Sequence, residues 1–378
     1  MSEIWVLGAT GRSGRAIAAG LTGAGLSPVL VGRDIVRVRK VASTINQNLR
    51  IVLAGSIDSV VREISQSRPA VVINTIGPFS DTALPVARAC LLSGAHYVDI
   101  SNELFSVIAL LRLHDEASSC GRTFVTGAGF GVLATESIVL KLCEGQPPAA
   151  RVRVDAMATV EPEAGRMGTA LAATIIDVLA AGGRRYEHGR LVRPRLLSDL
   201  ESLRPPDGSR IKTATGPSGE LEAARRASGA PFAVAASSMV PASAILRAIL
   251  PAILPLLKIT LLRNLAIRQV AGIELKPKRR EKAKPKERRR EFSWAHAQVQ
   301  WASGAHGEGW LRTGDAHVFA TNVAVEVARR LACNEGQPGA YTPGALFGPG
   351  LAAAAGGKLI IDHAPMPSGR PAAHRERV

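Results

Sequence analysis

The sequence predicts an α/β protein: a doubly wound parallel sheet, then a second α+β domain with an apolar helical insert. Three observations carry that prediction. Continuous apolar runs of strand length alternate with helix-length segments through the first 130 residues, which is the pattern of strands buried on both faces and joined by right-handed helical crossovers. The first run ends in spaced glycines that open a helix. After Pro147-Pro148 the runs alternate polar with apolar residues instead, as strands with one solvated face do.

Six segments read as the strands of the first sheet: "EIWVLGA", "SPVLVGR", "LRIVLAG", "AVVINTIG", "HYVDIS" and "RTFVTGAG". Between the later ones, "TALPVARACLLSG" and "LFSVIALLRLHDEASSCG" read as helices. In such a sheet, ligands bind beyond the carboxyl ends of the strands. The residues at those ends are therefore the candidates for function.

The first strand ends in Gly8-Ala9-Thr10-Gly11-Arg12-Ser13-Gly14, a G-x-x-G-x-x-G run. Gly8 permits the tight turn, Gly11 lets the backbone approach a diphosphate, and Gly14 lets the helix pack close to the strand. The helix N-terminus then offers N–H groups and partial positive charge to phosphates. Together with Thr10, Arg12 and Ser13, these glycines predict a Rossmann-type dinucleotide site. The second strand ends at Arg33-Asp34, with Arg33 nineteen residues past Gly14. A carboxylate there suits the ribose 2′-hydroxyl of NAD, and an arginine suits the 2′-phosphate of NADP. With Arg12 as a second cation, Arg33 predicts NADP. Asp58, after the third strand, edges the adenine pocket or caps the helix "SVVREI".

The fourth strand ends in Asn74-Thr75-Ile76-Gly77-Pro78-Phe79, and Gly77 and Pro78 stiffen a loop beside the expected nicotinamide. The fifth ends in "YVDISNE". Asp99 there is a candidate proton carrier or a helix cap; Ser101 and Asn102 read as caps of the helix that follows. Tyr97 is the other candidate acid, with core packing as its alternative. No Tyr-x-x-x-Lys pair is present.

Composition narrows the functional class. The chain has 378 residues and a net charge of +16, but residues 276 to 290 hold ten basic and two acidic residues, hence +8. Half the excess charge is thus in one short element, which argues against a general nucleic-acid surface. Cys90, Cys120, Cys143 and Cys333 lie far apart, and no C-x-x-C or histidine cluster accompanies them. The expectation is four buried, reduced thiols in a cytoplasmic protein, with no metal site and no disulfide framework.

Residues 231 to 275 are strongly apolar, with no acid before Glu274. Arg247, Lys258, Arg263 and four prolines interrupt the run, so a spanning helix is not expected. Two readings stand: helices lying in a membrane interface or around a lipid-like substrate, and a helical core element. The basic loop at 276 to 290 suits anionic head groups, a solvated loop, or the acidic face of a carrier protein.

The phrases "GATGRSGRAIAAGL", "VLVGRD", "VVINTIGPFS", "PVARACLLSGAHYVDISNE" and "GAGFGVLATESIVLKL" together resemble the saccharopine dehydrogenase-like family of NAD(P)-binding proteins. The subgroup most similar contains the trans-acting enoyl reductases of lipid and polyketide synthesis. "GRMGTALAATI" and the segment from "GEGWLRTGDAHVFATNVAVEVARRL" to "GALFG" resemble later parts of the family. The resemblance implies a Rossmann domain over 1–130, completed by 335–378, and a substrate domain over 131–334. It also implies hydride transfer from NADPH to a C=C or C=N bond of a hydrophobic or carrier-bound substrate. A non-catalytic NADP-binding sensor or scaffold is the alternative. Peripheral membrane contact through 231–290 and a homodimer complete the expectations. The subgroup's loop often reads Asp-x-x-Gly-Glu, and here Asn102 stands at the glycine position.

Overall fold

Each strand of the first sheet alternates its side chains between two apolar layers. In β1 (Ile4–Leu7), Ile4 and Val6 pack on one face and Trp5 and Leu7 on the other, all buried. Such a strand needs helices on both faces, and the chain supplies them. Along the sequence follow α1 (Arg12–Gly23), β2 (Pro28–Gly32), α2 (Ile35–Ile45), β3 (Ile51–Leu53), α3 (Ile57–Ser67), β4 (Val71–Asn74), α4 (Phe79–Ser93), β5 (His96–Asp99), α5 (Leu104–Leu111), α6 (His114–Ser119) and β6 (Thr123–Val125). The computed structural model describes residues 3–160, 165–166, 176, 182–194, 199–239, 260–272, 274–275 and 290–362.

The chain then leaves the first sheet through α7 (Phe130–Leu142) and builds a second one. Its elements are β7 (Arg151–Met157), β8 (Gly165–Arg166), β9 (Arg185–Glu187), β10 (Arg190–Val192), β11 (Glu201–Leu203), β12 (Ile211–Thr215), α8 (Gly219–Ser228), β13 (Phe232–Ser237), α9 (Thr260–Ala271), β14 (Glu274–Leu275), β15 (Ser293–Gln300) and β16 (His306–Thr313). There follow α10 (Ala316–Ala332), β17 (Gly339–Tyr341), α11 (Pro343–Phe347), α12 (Gly350–Ala354) and β18 (Lys358–Asp362).

The first sheet runs β17-β6-β5-β4-β1-β2-β3, every pair parallel. The order reverses beside β1, which is where such sheets bind nucleotides. β17 is the seventh strand, and it comes from the carboxyl-terminal segment. That segment does not stay in the first sheet, since β18 pairs antiparallel with β16 of the second. The second sheet is mixed, along β10-β9-β13-β7-β15-β16-β18, with β12 also on β13 and β11 on β12. β15 and β16 form the antiparallel hairpin that their alternation predicts.

Three readings need correction. The stretch "TATGPSGELEAARRASG", residues 213 to 229, reads as strands and loops, yet Gly219–Ser228 is a helix. The apolar run begins with β13, which pairs parallel with β7 inside the second sheet, so its first residues are not helical. Of the four thiols only Cys90 is buried, while Cys120 and Cys333 are exposed, and none is paired. The segment "GTALAATIIDVLAAGG", which reads as an apolar helix ending at Gly182-Gly183, lies mostly outside the described residues, as do all of 240–259 and the basic run before Arg290. Among the described residues, no helix is long and apolar enough to cross a membrane.

Candidate dinucleotide site

The glycine turn joins β1 to α1 at the carboxyl edge of the first sheet. Gly8 has φ +74°, a left-handed conformation that glycine adopts without strain. A Cβ on Gly14 would lie 2.3 Å from the carbonyl oxygen of Gly8, so the helix reaches the strand only because that atom is missing. Two bonds from the backbone of Gly8 and Ala9 to Val31 O, each 3.1 Å, pin the turn to β2. Arg15 braces it from the helix side, donating from Nη1 to Thr10 O at 2.9 Å.

The residues of this turn fit a dinucleotide phosphate. The N-cap of α1 is Gly11, without a capping side chain, and the first turn holds no acidic residue. The first N–H groups of a helix lack intrahelical acceptors and carry partial positive charge. Among the described residues no side chain caps that end, and Gly11 keeps the approach open, since a Cβ there would meet Gly8 O at 3.2 Å.

At the end of β2 the two candidates separate. Asp34 is the N-cap of α2: its Oδ1 accepts from Val36 N at 2.9 Å and Arg37 N at 3.1 Å. Arg33 is exposed beside it. The carboxylate is committed to the helix and the guanidinium faces solvent, which favours a 2′-phosphate over a bare ribose. After β3, the cap is Ser56, in a reciprocal box with Ser59. Asp58 is not the cap; it is an exposed residue of that first turn.

The loops after β4 and β5 are tied to each other. Gly77-Pro78 is a cis bond directly before α4. Glu103, from the fifth-strand loop, accepts from Phe79 N at 3.0 Å and Ser80 N at 2.8 Å, capping α4 from outside. Neither Ser101 nor Asn102 caps α5. Ser101 Oγ instead accepts from Glu103 N at 3.2 Å. Asn102 donates to Glu220 Oε1 at 3.1 Å, joining this loop to α8.

Asp99 and Tyr97 are both fully buried. Asp99 Oδ1 accepts from Ser101 N (2.9 Å), Gly127 N (2.9 Å) and Thr126 Oγ1 (3.0 Å), and its Oδ2 accepts from Tyr97 Oη at 3.0 Å. Tyr97 Oη in turn accepts from Asn74 Nδ2 at 3.3 Å. Burial raises both pKa values, and the Asp99 charge raises that of Tyr97 further. The pair ties the ends of β4, β5 and β6 together as a brace.

Among the described residues, the buried acids Glu136, Asp155, Glu220 and Glu222 escaped the sequence reading. Glu220 is buried with no hydrogen-bond partner for Oε2 among the described residues, and burial raises its pKa. Glu136 of α7 caps α11 through Gly344 N (2.8 Å), Ala345 N (3.1 Å) and the Thr342 hydroxyl. In the second sheet, His296 bridges Asp155 Oδ2 (3.2 Å) and Glu308 Oε1 (2.9 Å). A groove of about 480 Å³ lies at the Arg151 end of that sheet, lined by Arg151, Arg153, Phe232, Gln298 and Glu308. The opposite end of β7, at Thr159, is the one that meets α10. The groove is therefore not part of the dinucleotide site.

Residues 4–125 match the family model of the saccharopine dehydrogenase NADP-binding domain. A trans-acting enoyl reductase of Mycobacterium tuberculosis is 30% identical over 146 residues, covering 37% of this chain and 35% of that one. The corresponding reductase of Mycobacterium leprae is 28% identical over the same length. The match thus spans about a third of the length of these relatives. An apo saccharopine dehydrogenase (L-Glu forming) from Saccharomyces cerevisiae shares the fold across 95% of this chain and 100% of its own, with a TM-score of 0.56 at 11% identity.

Proposed function

We propose, from the premise that residues 4–125 are an NADP-binding domain of the saccharopine dehydrogenase type, that the protein is an NADP-dependent oxidoreductase. Its reaction would be the reduction of a C=C or C=N bond in a hydrophobic or carrier-bound substrate. The observation that carries this is the uncapped, acid-free N-terminus of α1 behind a glycine turn, with Arg33 exposed at the end of β2 and Asp34 occupied as a cap. The enoyl reductase relatives favour C=C over C=N.

When bound, NADPH supplies the hydride; positioning falls to this chain. Gly8, Gly11 and Gly14 admit the diphosphate, and α1 offers it N–H groups. Arg33 takes the 2′-phosphate. Glu103 fixes the Gly77-Pro78 loop against the fifth-strand loop, so the two walls of the nicotinamide site hold one geometry.

A second reading has its own observation. Asp99 and Tyr97 are enclosed and fully engaged, as in a protein that binds NADP without acid catalysis. Titration with NADPH, followed by an absorbance assay on enoyl and imine substrates, separates the two. Turnover supports the oxidoreductase; tight binding with no turnover supports a sensor.

Arg33→Ala tests cofactor choice. A charge-assisted hydrogen bond contributes about 1.5–3 kcal/mol, so NADPH binding should weaken about tenfold to a hundredfold. NADH binding should stay near its starting value. Equal weakening of both, or of neither, rules out 2′-phosphate recognition by Arg33.

A further inference from the structure

α1 and α10 lie side by side and parallel on one face of the first sheet. Ser13 at the start of α1 meets His317 at the start of α10, Oγ to Nε2 at 3.4 Å. One to two turns further along, a Cβ on Gly20 would lie 2.9 Å from Val325 Cγ2 and 3.8 Å from Thr321 Cγ2. Both helices therefore point their N-termini at the carboxyl edge of the sheet, where the glycine turn is.

The two N-termini differ. That of α1 has no capping side chain. That of α10 is closed by Asp315, whose Oδ1 accepts from His317 N at 2.7 Å and Val318 N at 3.1 Å. Ala316 N donates to Thr159 O at 2.9 Å, which fastens the start of α10 to the end of β7. Thus α10 does not offer its own backbone to an anion. It delivers one imidazole, that of His317, to the second residue of α1.

We propose that His317 contacts the diphosphate of the dinucleotide, as a part of the NADP site supplied from 304 residues beyond Ser13. This rests on the reading that the glycine turn holds the dinucleotide. An imidazole within reach of Ser13 Oγ is within reach of a phosphate oxygen seated on the first turn of α1. Nε2–H donates to that anionic oxygen, which makes the bond charge-assisted. Among the described residues, the charged groups of the two helix starts that meet here are Asp315 beside His317, and Arg12 and Arg15 on α1. Because Thr159 and Asp315 set the start of α10, the second sheet then takes part in holding the cofactor.

The test compares two probes on the full chain: NADPH, and 2′-AMP, which carries the 2′-phosphate and no diphosphate. His317→Ala should weaken NADPH about tenfold to a hundredfold and leave 2′-AMP unchanged. His317→Gln, which keeps an N–H donor, should recover part of the loss. Unchanged NADPH affinity in His317→Ala overturns the proposal. So does an equal loss for both probes, which would mark a structural role. Failure of the wild type to bind either probe would instead remove the dinucleotide reading beneath it.

Discussion

Asp99 stands where a carboxylate of a parallel sheet often meets a ligand, yet its oxygens are filled by Ser101 N, Gly127 N, Thr126 Oγ1 and Tyr97 Oη. A proton donor needs a path to its acceptor, and this pair has no exposed atom to provide one. Tyr97→Phe distinguishes brace from acid. It deletes one buried hydroxyl and leaves Asp99 Oδ2 and Asn74 Nδ2 each short of a partner. The expected cost is about 1–3 kcal/mol of stability, read by denaturant unfolding, with turnover close to that of the wild type. A drop in kcat of the order that general acid catalysis contributes, about 10²–10⁴-fold, would falsify the brace and restore Tyr97 as the acid. The same contrast shows what a sequence can reveal about a site. Gly8, Gly11 and Gly14 act through local backbone geometry, which spacing encodes, whereas the Asp34 cap that sets it apart from Arg33 is seen only in the fold. Ser13 and His317 are 304 residues apart, and no local pattern announces their meeting.

At the scale of elements, α7 and α11 join the second domain to the carboxyl-terminal return. Glu136 is the joint, and burial pushes its pKa from 4.5 up to about 7 against the pull of Thr342, Gly344 and Ala345. A carboxyl raised in the folded state supports stability most below its unfolded pKa and loses that support as pH climbs through the folded value. The wild type should therefore lose on the order of 3 kcal/mol relative to Glu136→Gln, which does not titrate. The loss should fall between pH 4.5 and about 7, and urea unfolding of both proteins across that range measures it; a constant difference would sink the assignment. Elements varied in how well the sequence announced them. The first sheet was legible because its strands are buried on both faces and read as unbroken apolar runs. α8 was not, because it buries Glu222 by pairing it with Arg225, Arg226 and Tyr186, so its charges read as solvent-facing. β13 was hidden for the opposite reason: a strand in the middle of a sheet is as apolar as a buried helix over so short a span.

For the whole molecule, exposed apolar residues precede a basic run along the chain, and that run ends at one edge of the second sheet. Arg290 ends the basic run, and its Nη1 and Nη2 donate to Met157 O at 3.2 Å and Ala158 O at 3.0 Å. The run thus terminates beside Thr159, which fastens α10 and His317. On α9, ahead of the run, Leu262 and Leu265 are 36% and 52% exposed. We propose that this edge rests on an anionic membrane surface and receives its hydrophobic substrate there, each cation near the surface contributing about 1 kcal/mol. Deleting 231–290 is a poor test, because it removes β13 from the second sheet. Replacing the nine lysines and arginines of 276–289 by serine keeps that strand and removes the charge. The wild type should sediment with phosphatidylserine vesicles at low salt, stay in the supernatant with phosphatidylcholine vesicles, and be released as salt screens the attraction. The serine variant should stay in the supernatant in every case while binding NADPH as before. Equal sedimentation of the two proteins with anionic vesicles would show that the basic run does not hold the membrane. Equal binding to both vesicle types would show that charge is not the attraction.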